Sequence, residues 1–204
     1  MAEIRDLHAI QYPVAAKLLA LAMRDDPMHE AVFGHRAHRR FSQLDRFFSA
    51  LLPLMDSAPL SAWEAGRLVG VASYFRPGAC WLSMPSQIRI AYPLLSLNIA
   101  ELWRLWRWLH ASGRHDPKEC HWHLGPVAVD ANCQRRGVGS QLLQAFCARL
   151  DACGEAAFLE TDKPESVRFY ARSGFEVTAT AKVLGVTNWW MNRPGNMSPC
   201  KEIR

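Results

Sequence analysis

The chain lacks every feature that would mark it as a membrane protein, a secreted disulfide scaffold or a cysteine-based metalloprotein. Its most apolar long stretch, 92–109, carries Glu101, Arg104 and Arg107, charges too costly for the centre of a bilayer, so no membrane span is expected. Asp6, His8 and Gln11 interrupt the first turns, which leaves no basic-then-apolar signal ahead of a small-residue cleavage site; a cytoplasmic location is the expectation. Six cysteines stand at 80, 120, 133, 147, 153 and 200, with no CxxC pair and no Cys–His spacing suited to zinc. Free thiols are therefore expected, and a metal is not. Low-complexity segments and internal repeats are missing too, and 204 residues suffice for one domain with a full core. The net charge of +5 is scattered along the chain and forms no basic stripe. That argues against a nucleic-acid partner and suits an anionic, nucleotide-like ligand.

What is present alternates between helical and strand periodicity. Pro13 fits a first helical turn, and Val14, Leu18 and Leu21 or Ala22 fall on one side, predicting a helix over 12–24 that ends at Asp26-Pro27. Phe41, Leu44, Phe48, Leu51 and Met55 mark a second helix with one continuous apolar stripe. Runs at 60–64 and 68–75, joined by a Gly-containing turn, read as a hairpin. An aromatic insertion follows over about 77–118; it includes Trp81 and leads into a helix with Leu95, Ile99, Leu102, Trp106 and Leu109 at helical spacing. Next come a strand over 120–129, a helix over 137–152 that buries Leu142, Phe146 and Leu150, and a strand over 157–160. A helix opened by Pro164 and closed by Gly174 leads into a last sheet region from Phe175 to Met191. The pattern implies an α/β (α+β) domain over 1–193, a mixed sheet with helices on both faces, and a tail over 194–204.

The most informative stretch runs Val127-Ala128-Val129-Asp130-Ala131-Asn132-Cys133-Gln134-Arg135-Arg136-Gly137-Val138-Gly139-Ser140: a strand ends, a loop turns, and two glycines open a helix. Without a Cβ at 137 and 139 the backbone can approach a ligand closely. Consecutive N–H groups can then share one concavity, at a helix end worth about half a positive charge. A pyrophosphate would be well held there. A bare Gly-x-Gly more often marks tight strand-to-helix packing alone. Here Gln134-Arg135-Arg136-Gly137-Val138-Gly139 matches QxxGxG, the signature of the GNAT superfamily, and matches neither GxGxxG nor GxxxxGK[ST]. Leu159-Glu160-Thr161-Asp162-Lys163-Pro164-Glu165-Ser166-Val167-Arg168-Phe169-Tyr170-Ala171-Arg172-Ser173-Gly174-Phe175 resembles the second signature of that superfamily, a strand, a short loop and a helix ending FYxxxGF. The run from Trp63 to Val71 resembles its early hairpin.

This resemblance implies a GNAT fold, a mixed and mostly antiparallel sheet whose fourth and fifth strands splay to admit the pantetheine arm of acetyl-CoA. It implies cofactor contacts along Val127, Ala128 and Val129, and a pyrophosphate held by the segment Gln134, Arg135, Arg136, Gly137, Val138, Gly139 and Ser140. Lys163 stands where the family often has asparagine. Direct acetyl transfer needs an unprotonated amine, a polarised thioester and a proton for the departing thiolate. The resemblance gives the last role to Tyr170, whose phenol has an ordinary pKa near 10 and keeps its proton at neutral pH; an aromatic anchor is the plainer alternative. His121 and His123 alternate on one strand and so share a face. His123 stands where histone-acetylating members carry a glutamate base, and the His-x-His strand resembles that of arylalkylamine-acetylating members. An imidazole can take the proton directly or through water, although a strand histidine satisfied by a backbone carbonyl is equally compatible. Gly125-Pro126 fits a bulge that exposes the amide of Val127 to the thioester.

The family lines its acceptor site with the connection after the first helix, which here reads Arg24-Asp25-Asp26-Pro27-Met28-His29-Glu30-Ala31-Val32-Phe33 and is expected to be a loop. Asp26 and Glu30 would draw in an ammonium group and Phe33 would supply an apolar wall; a solvated capping loop is the alternative. The expected activity is N-acetylation of a small-molecule primary amine, with a homodimer left open. Acetylation of a protein N-terminus or lysine, and a non-catalytic acyl-CoA sensor, are the competing readings.

Overall fold

The computed structural model describes residues 2–77 and 93–195; Trp81 and the tail from 196 onward lie outside them. Among the described residues seven strands form one sheet: β1 (Glu3–Asp6), β2 (Leu60–Glu64), β3 (Arg67–Phe75), β4 (His121–Val129), β5 (Ala156–Thr161), β6 (Glu176–Val183) and β7 (Val186–Arg193), in the order β1-β2-β3-β4-β5-β7-β6. Every pairing is antiparallel except β4 with β5. The sheet is thus mixed, as the patterning implies, and mostly antiparallel, as the family resemblance implies. β1 is absent from the sequence reading because four mostly polar residues carry no alternation; it exists through its register with β2, from Glu3 opposite Trp63 to Asp6 opposite Leu60.

Among the described residues six α-helices cover both faces: α1 (Tyr12–Met23), α2 (Pro27–Phe33), α3 (Ala37–Leu51), α4 (Ile99–His115), α5 (Val138–Cys153) and α6 (Pro164–Ala171). On one face α1 and α3 pack over Leu68, Val71 and Ala128. Beside them Met28 and Val32 of α2, with Leu105 and Trp108 of α4, cover Phe158, Val183 and Trp190. The other face buries Val138, Leu142, Phe146 and Leu150 of α5 against Ala62, Val69, Tyr74 and Trp122. Gly70 lets α5 come this close, since a Cβ there would sit 2.9 Å from Leu142 Cδ1.

Three expectations are corrected. The connection after α1 is no loop: Pro27 takes a first-turn position, and α2 forms and ends at Gly34 (φ +82°). In α1, Val14 and Leu21 are exposed while Ala15, Ala16, Leu18, Leu19 and Ala20 are buried. Small alanines give the closer approach to the sheet, and with Leu18 and Leu19 they define the inward face in place of Val14 and Leu21. Of the expected stripe, Leu95 falls before α4, and Ile99, Leu102, Trp106 and Leu109 point outward, Ile99 being 86% exposed. The inward side is set instead by Glu101, buried and paired with Arg39 at 2.8 Å, and by Leu105, Trp108 and Ala111.

Candidate active site

β4 and β5 pair for only three residues, His121 with Ala156, Trp122 with Ala157 and His123 with Phe158. Past that point the two strands part. The register of β4 against β3 shifts between Ala72 and Tyr74, opposite Gly125-Pro126, where the sequence calls for a bulge. The extra residue reverses the alternation: Trp122 and Leu124 face α5 before it, and Val127 and Val129 face the same way after it. Val127, Ala128 and Val129 lie opposite Ala72, Val71 and Gly70 of β3 on one edge. Among the described residues no strand pairs their other edge, so a row of backbone donors and acceptors lines the parting.

The following turn is held by its own side chains. Asp130 accepts from the Asn132 N–H at 2.9 Å and pairs with Arg67, and Gln134 Nε2 donates to the Val129 carbonyl at 3.2 Å. Arg135 has φ +60° and Gly137 has φ +85°, two left-handed residues that swing the chain into α5. Arg136 is tied back to Glu64 at 3.0 Å, and Val138 is buried as the anchor of the helix start. The N–H groups of Val138, Gly139 and Ser140, in the first turn of α5, have no intrahelical acceptor, and among the described residues no side chain caps them. With the helix dipole behind them they form a site for an anion. A Cβ at Gly139 would meet Phe169 at 3.5 Å and Val129 at 3.6 Å, ordinary contacts. Packing therefore does not demand glycine there, whereas a backbone-bound ligand would.

Tyr170 lies near the C-terminus of α6, its ring centroid 5.0 Å from Phe169 and 5.9 Å from Phe175. Burial pushes its phenol well above the ordinary value, and the charge of Asp26 adds to the rise. Asp26 is only 8% exposed. Burial pushes its carboxyl up to about 6 despite Lys163, whose ammonium pairs with it directly. The next carboxylate along, Asp162, accepts from the Met28 N–H at 2.6 Å and so caps α2. Two adjacent residues of the β5–α6 connection thus hold the N-terminus of α2. Arg40, itself buried, braces the same segment from the other side through Arg24, Gly34 and Asp25 at 2.8, 2.6 and 2.8 Å. Neither Asp162 nor Arg40 stands out in the sequence, because their partners are remote or lie in backbone groups.

Glu30 and Phe33 are engaged differently from Asp26. Glu30 pairs with His35 at 3.0 Å and approaches Arg40 at 3.8 Å; Phe33 stacks on His29 at 6.2 Å and packs into the core beside α4. Only Asp26 of these three is brought within electrostatic reach of Tyr170. His121 and His123 do share a face, and both edge onto Phe158 at 5.6 and 5.5 Å. Asp116, at the C-terminal end of α4, stands 3.3 Å from His121 Nε2 and 3.7 Å from His123 Nδ1. Burial raises the Asp116 carboxyl, but the two imidazoles outweigh it and leave its pKa below the ordinary value. The only trace of this cluster in the sequence is the short spacing D-x4-H-x-H.

Solved structures share this architecture. One described as histone acetyltransferase HPA2 and related acetyltransferase, from Corynebacterium glutamicum, superposes with a TM-score of 0.74 at 21% identity, over 97% of this chain and 98% of that one. A putative acetyltransferase, yncA, from Salmonella typhimurium, solved with its cofactor acetyl-CoA, gives a TM-score of 0.60 at 15% identity over 100% and 99%. An agmatine N-acetyltransferase gives 0.62 at 12% identity over 94% and 98%. At such identities the likeness speaks for the fold. A family model described as the acetyltransferase (GNAT) family matches residues 19–175, from α1 to the end of the FYxxxGF motif. The chain belongs to the GNAT acetyltransferase family and is an acyltransferase that moves an acetyl group to an amine.

Proposed function

We propose that this chain acetylates the primary amine of a small molecule with acetyl-CoA by direct attack. The observation that carries the reading is the open backbone edge of Val127 to Val129, which leads from the uncapped first turn of α5 into the parting between β4 and β5. These features fit a pantetheine arm along a strand edge and a pyrophosphate at a helix start. When bound, acetyl-CoA supplies the activated thioester. Ala128 turns its side chain into the core and Val138 anchors the helix, so Val127, Ala128, Val129, Gln134, Arg135, Arg136, Gly137, Val138, Gly139 and Ser140 act chiefly through backbone.

His123 is the base in this reading, its ring oriented by Asp116. Tyr170 returns a proton to the thiolate, and its raised pKa keeps that proton in place at neutral pH. Asp26 supplies the negative charge that attracts a protonated amine, with Glu30 and Phe33 further along α2. The burial of Asp26, and the contact of α4 with α2 through Trp108 and His29 at 5.6 Å, favour a small acceptor over an extended polypeptide. The test is calorimetry with coenzyme A followed by thiol release over diamines, arylalkylamines, aminoglycosides and lysine or N-terminal peptides. Turnover confined to small amines is expected. Turnover confined to peptides would overturn the acceptor class, and binding without turnover would favour an acyl-CoA sensor.

A further inference from the structure

The start of β4 carries a buried imidazole, His121, that acetyl transfer does not explain. His121 is only 7% exposed, and its Nδ1 lies 2.8 Å from the Glu119 carbonyl oxygen. A carbonyl can only accept, so Nδ1 bears the proton, and in the neutral ring Nε2 is left as a bare lone pair. That atom has no hydrogen-bond partner among the described residues, yet Asp116 Oδ1 stands 3.3 Å from it. Two acceptors so placed repel each other unless a cation lies between them. The cation is either a second proton on the ring or a metal ion.

The distances separate the two. A charge-assisted N–H···O⁻ bond closes to about 2.7–2.9 Å, shorter than what is seen. A tetrahedral ion with bonds of about 2.0–2.1 Å holds neighbouring donors roughly 3.3–3.4 Å apart, which is the separation of His121 Nε2 from Asp116 Oδ1, while His123 would have to close by a few tenths of an ångström to join them. His123 Nδ1 extends the set at 3.7 Å from the same oxygen, and one donor atom from each of the three residues lies within 4.8 Å of the others. Metal-bound histidines fix their tautomer by donating the second N–H to a carbonyl or carboxylate, as His121 does to Glu119.

We propose that Asp116, His121 and His123 bind a late first-row divalent cation, zinc by preference, with three protein donors and one open position. Two imidazoles and a carboxylate suit zinc, cobalt or nickel and disfavour the all-oxygen cations calcium and magnesium. The side chains of Asp116 and His123 are 36% and 26% exposed, so an ion reaches the site from solvent. An ion on Nδ1 of His123 obliges Nε2 to carry the proton. The ring then has no lone pair left to offer an amine, so the ion inhibits. Only this inhibitory consequence rests on the reading of His123 as the base; the binding does not.

The experiment is titration of the metal-stripped full chain with cobalt(II), followed by its visible d–d absorption. A band saturating at one equivalent and abolished by zinc is expected, weakened at least ~10-fold in Asp116→Asn and in His121→Gln. If His121→Gln fails to fold, His123→Gln takes its place beside Asp116→Asn, whose side chain is isosteric. No band, or a band that Asp116→Asn leaves unchanged, overturns the site and assigns the cluster to a proton-bridged ion pair. Zinc that binds stoichiometrically while acetylation continues would keep the site and refute His123 as the base.

Discussion

Replacing Tyr170 with phenylalanine removes one oxygen and keeps the ring, and so separates proton delivery from packing. The contacts with Phe169 and Phe175, at 5.0 and 5.9 Å, belong to the ring and survive the change. The melting temperature should therefore move little. If the phenol protonates the leaving thiolate, its loss costs ~10²–10⁴-fold in kcat, or about 2.7–5.4 kcal/mol of barrier. KM for acetyl-CoA should stay within about twofold, because an interaction made only in the transition state does not contribute to ground-state binding. The wild-type pH profile provides a second readout. An ordinary tyrosine begins to lose its proton near 10; burial and the charge of Asp26 hold Tyr170 above that, so activity should not fall at the pH where a free phenol ionises. The assay is thiol release at saturating acetyl-CoA, alongside thermal unfolding of both proteins. An unchanged kcat in a folded Tyr170→Phe protein refutes the acid role and leaves Tyr170 as a packing residue.

Four further perturbations test other parts of the argument. Asp26 has its carboxyl pushed from 3.8 to about 6, so its neutral form is favoured by folding; the stability it contributes is complete below about pH 4 and is lost as pH rises through 6. At ~1.36 kcal/mol per pK unit the rise corresponds to roughly 3 kcal/mol, and Asp26→Asn should flatten the stability profile across that window in denaturant titrations. An unaltered slope would place the effect elsewhere. Gly137→Ala forces a left-handed φ of +85° on a residue with a Cβ and should cost about 1–2 kcal/mol in unfolding free energy. Gly139→Ala, with only ordinary contacts around its new methyl, should unfold like the wild type yet bind coenzyme A on the order of tenfold more weakly by calorimetry; equal binding would show that no ligand approaches this backbone. Gly70→Ala sets a methyl 2.9 Å from Leu142 Cδ1 and should destabilise the fold by about 1–3 kcal/mol, measured by chemical denaturation.

Much of the frame is legible along the chain because it depends on near neighbours. Gln134 to Gly139 reads as a strand-to-helix anion turn, and the structure gives Gly137 the positive φ such a turn needs. Leu142, Phe146 and Leu150 read as the inward side of a helix and are buried as one. Periodicity misleads where two sides of a helix are comparably apolar. In α4 it selects Ile99, Leu102 and Trp106, whereas the buried pairing of Glu101 with Arg39 decides which way the helix turns. It misleads again in α1, where three alanines, the weaker hydrophobic signal, join Leu18 and Leu19 on the buried side and Val14 and Leu21 face out.

The sequence by itself determines the turn chemistry at 134–140, the bulge at Gly125-Pro126 and the common face of His121 and His123, since each follows from local backbone geometry and strand alternation. Tertiary structure alone decides that Asp26 meets Lys163 across 137 positions and lies close enough to raise the Tyr170 phenol. It alone brings Asp116 from the end of α4 to both histidines. The physical reason is one of range: dihedral preferences act over a few residues, whereas burial and charge act through space and depend on how the helices settle on the sheet.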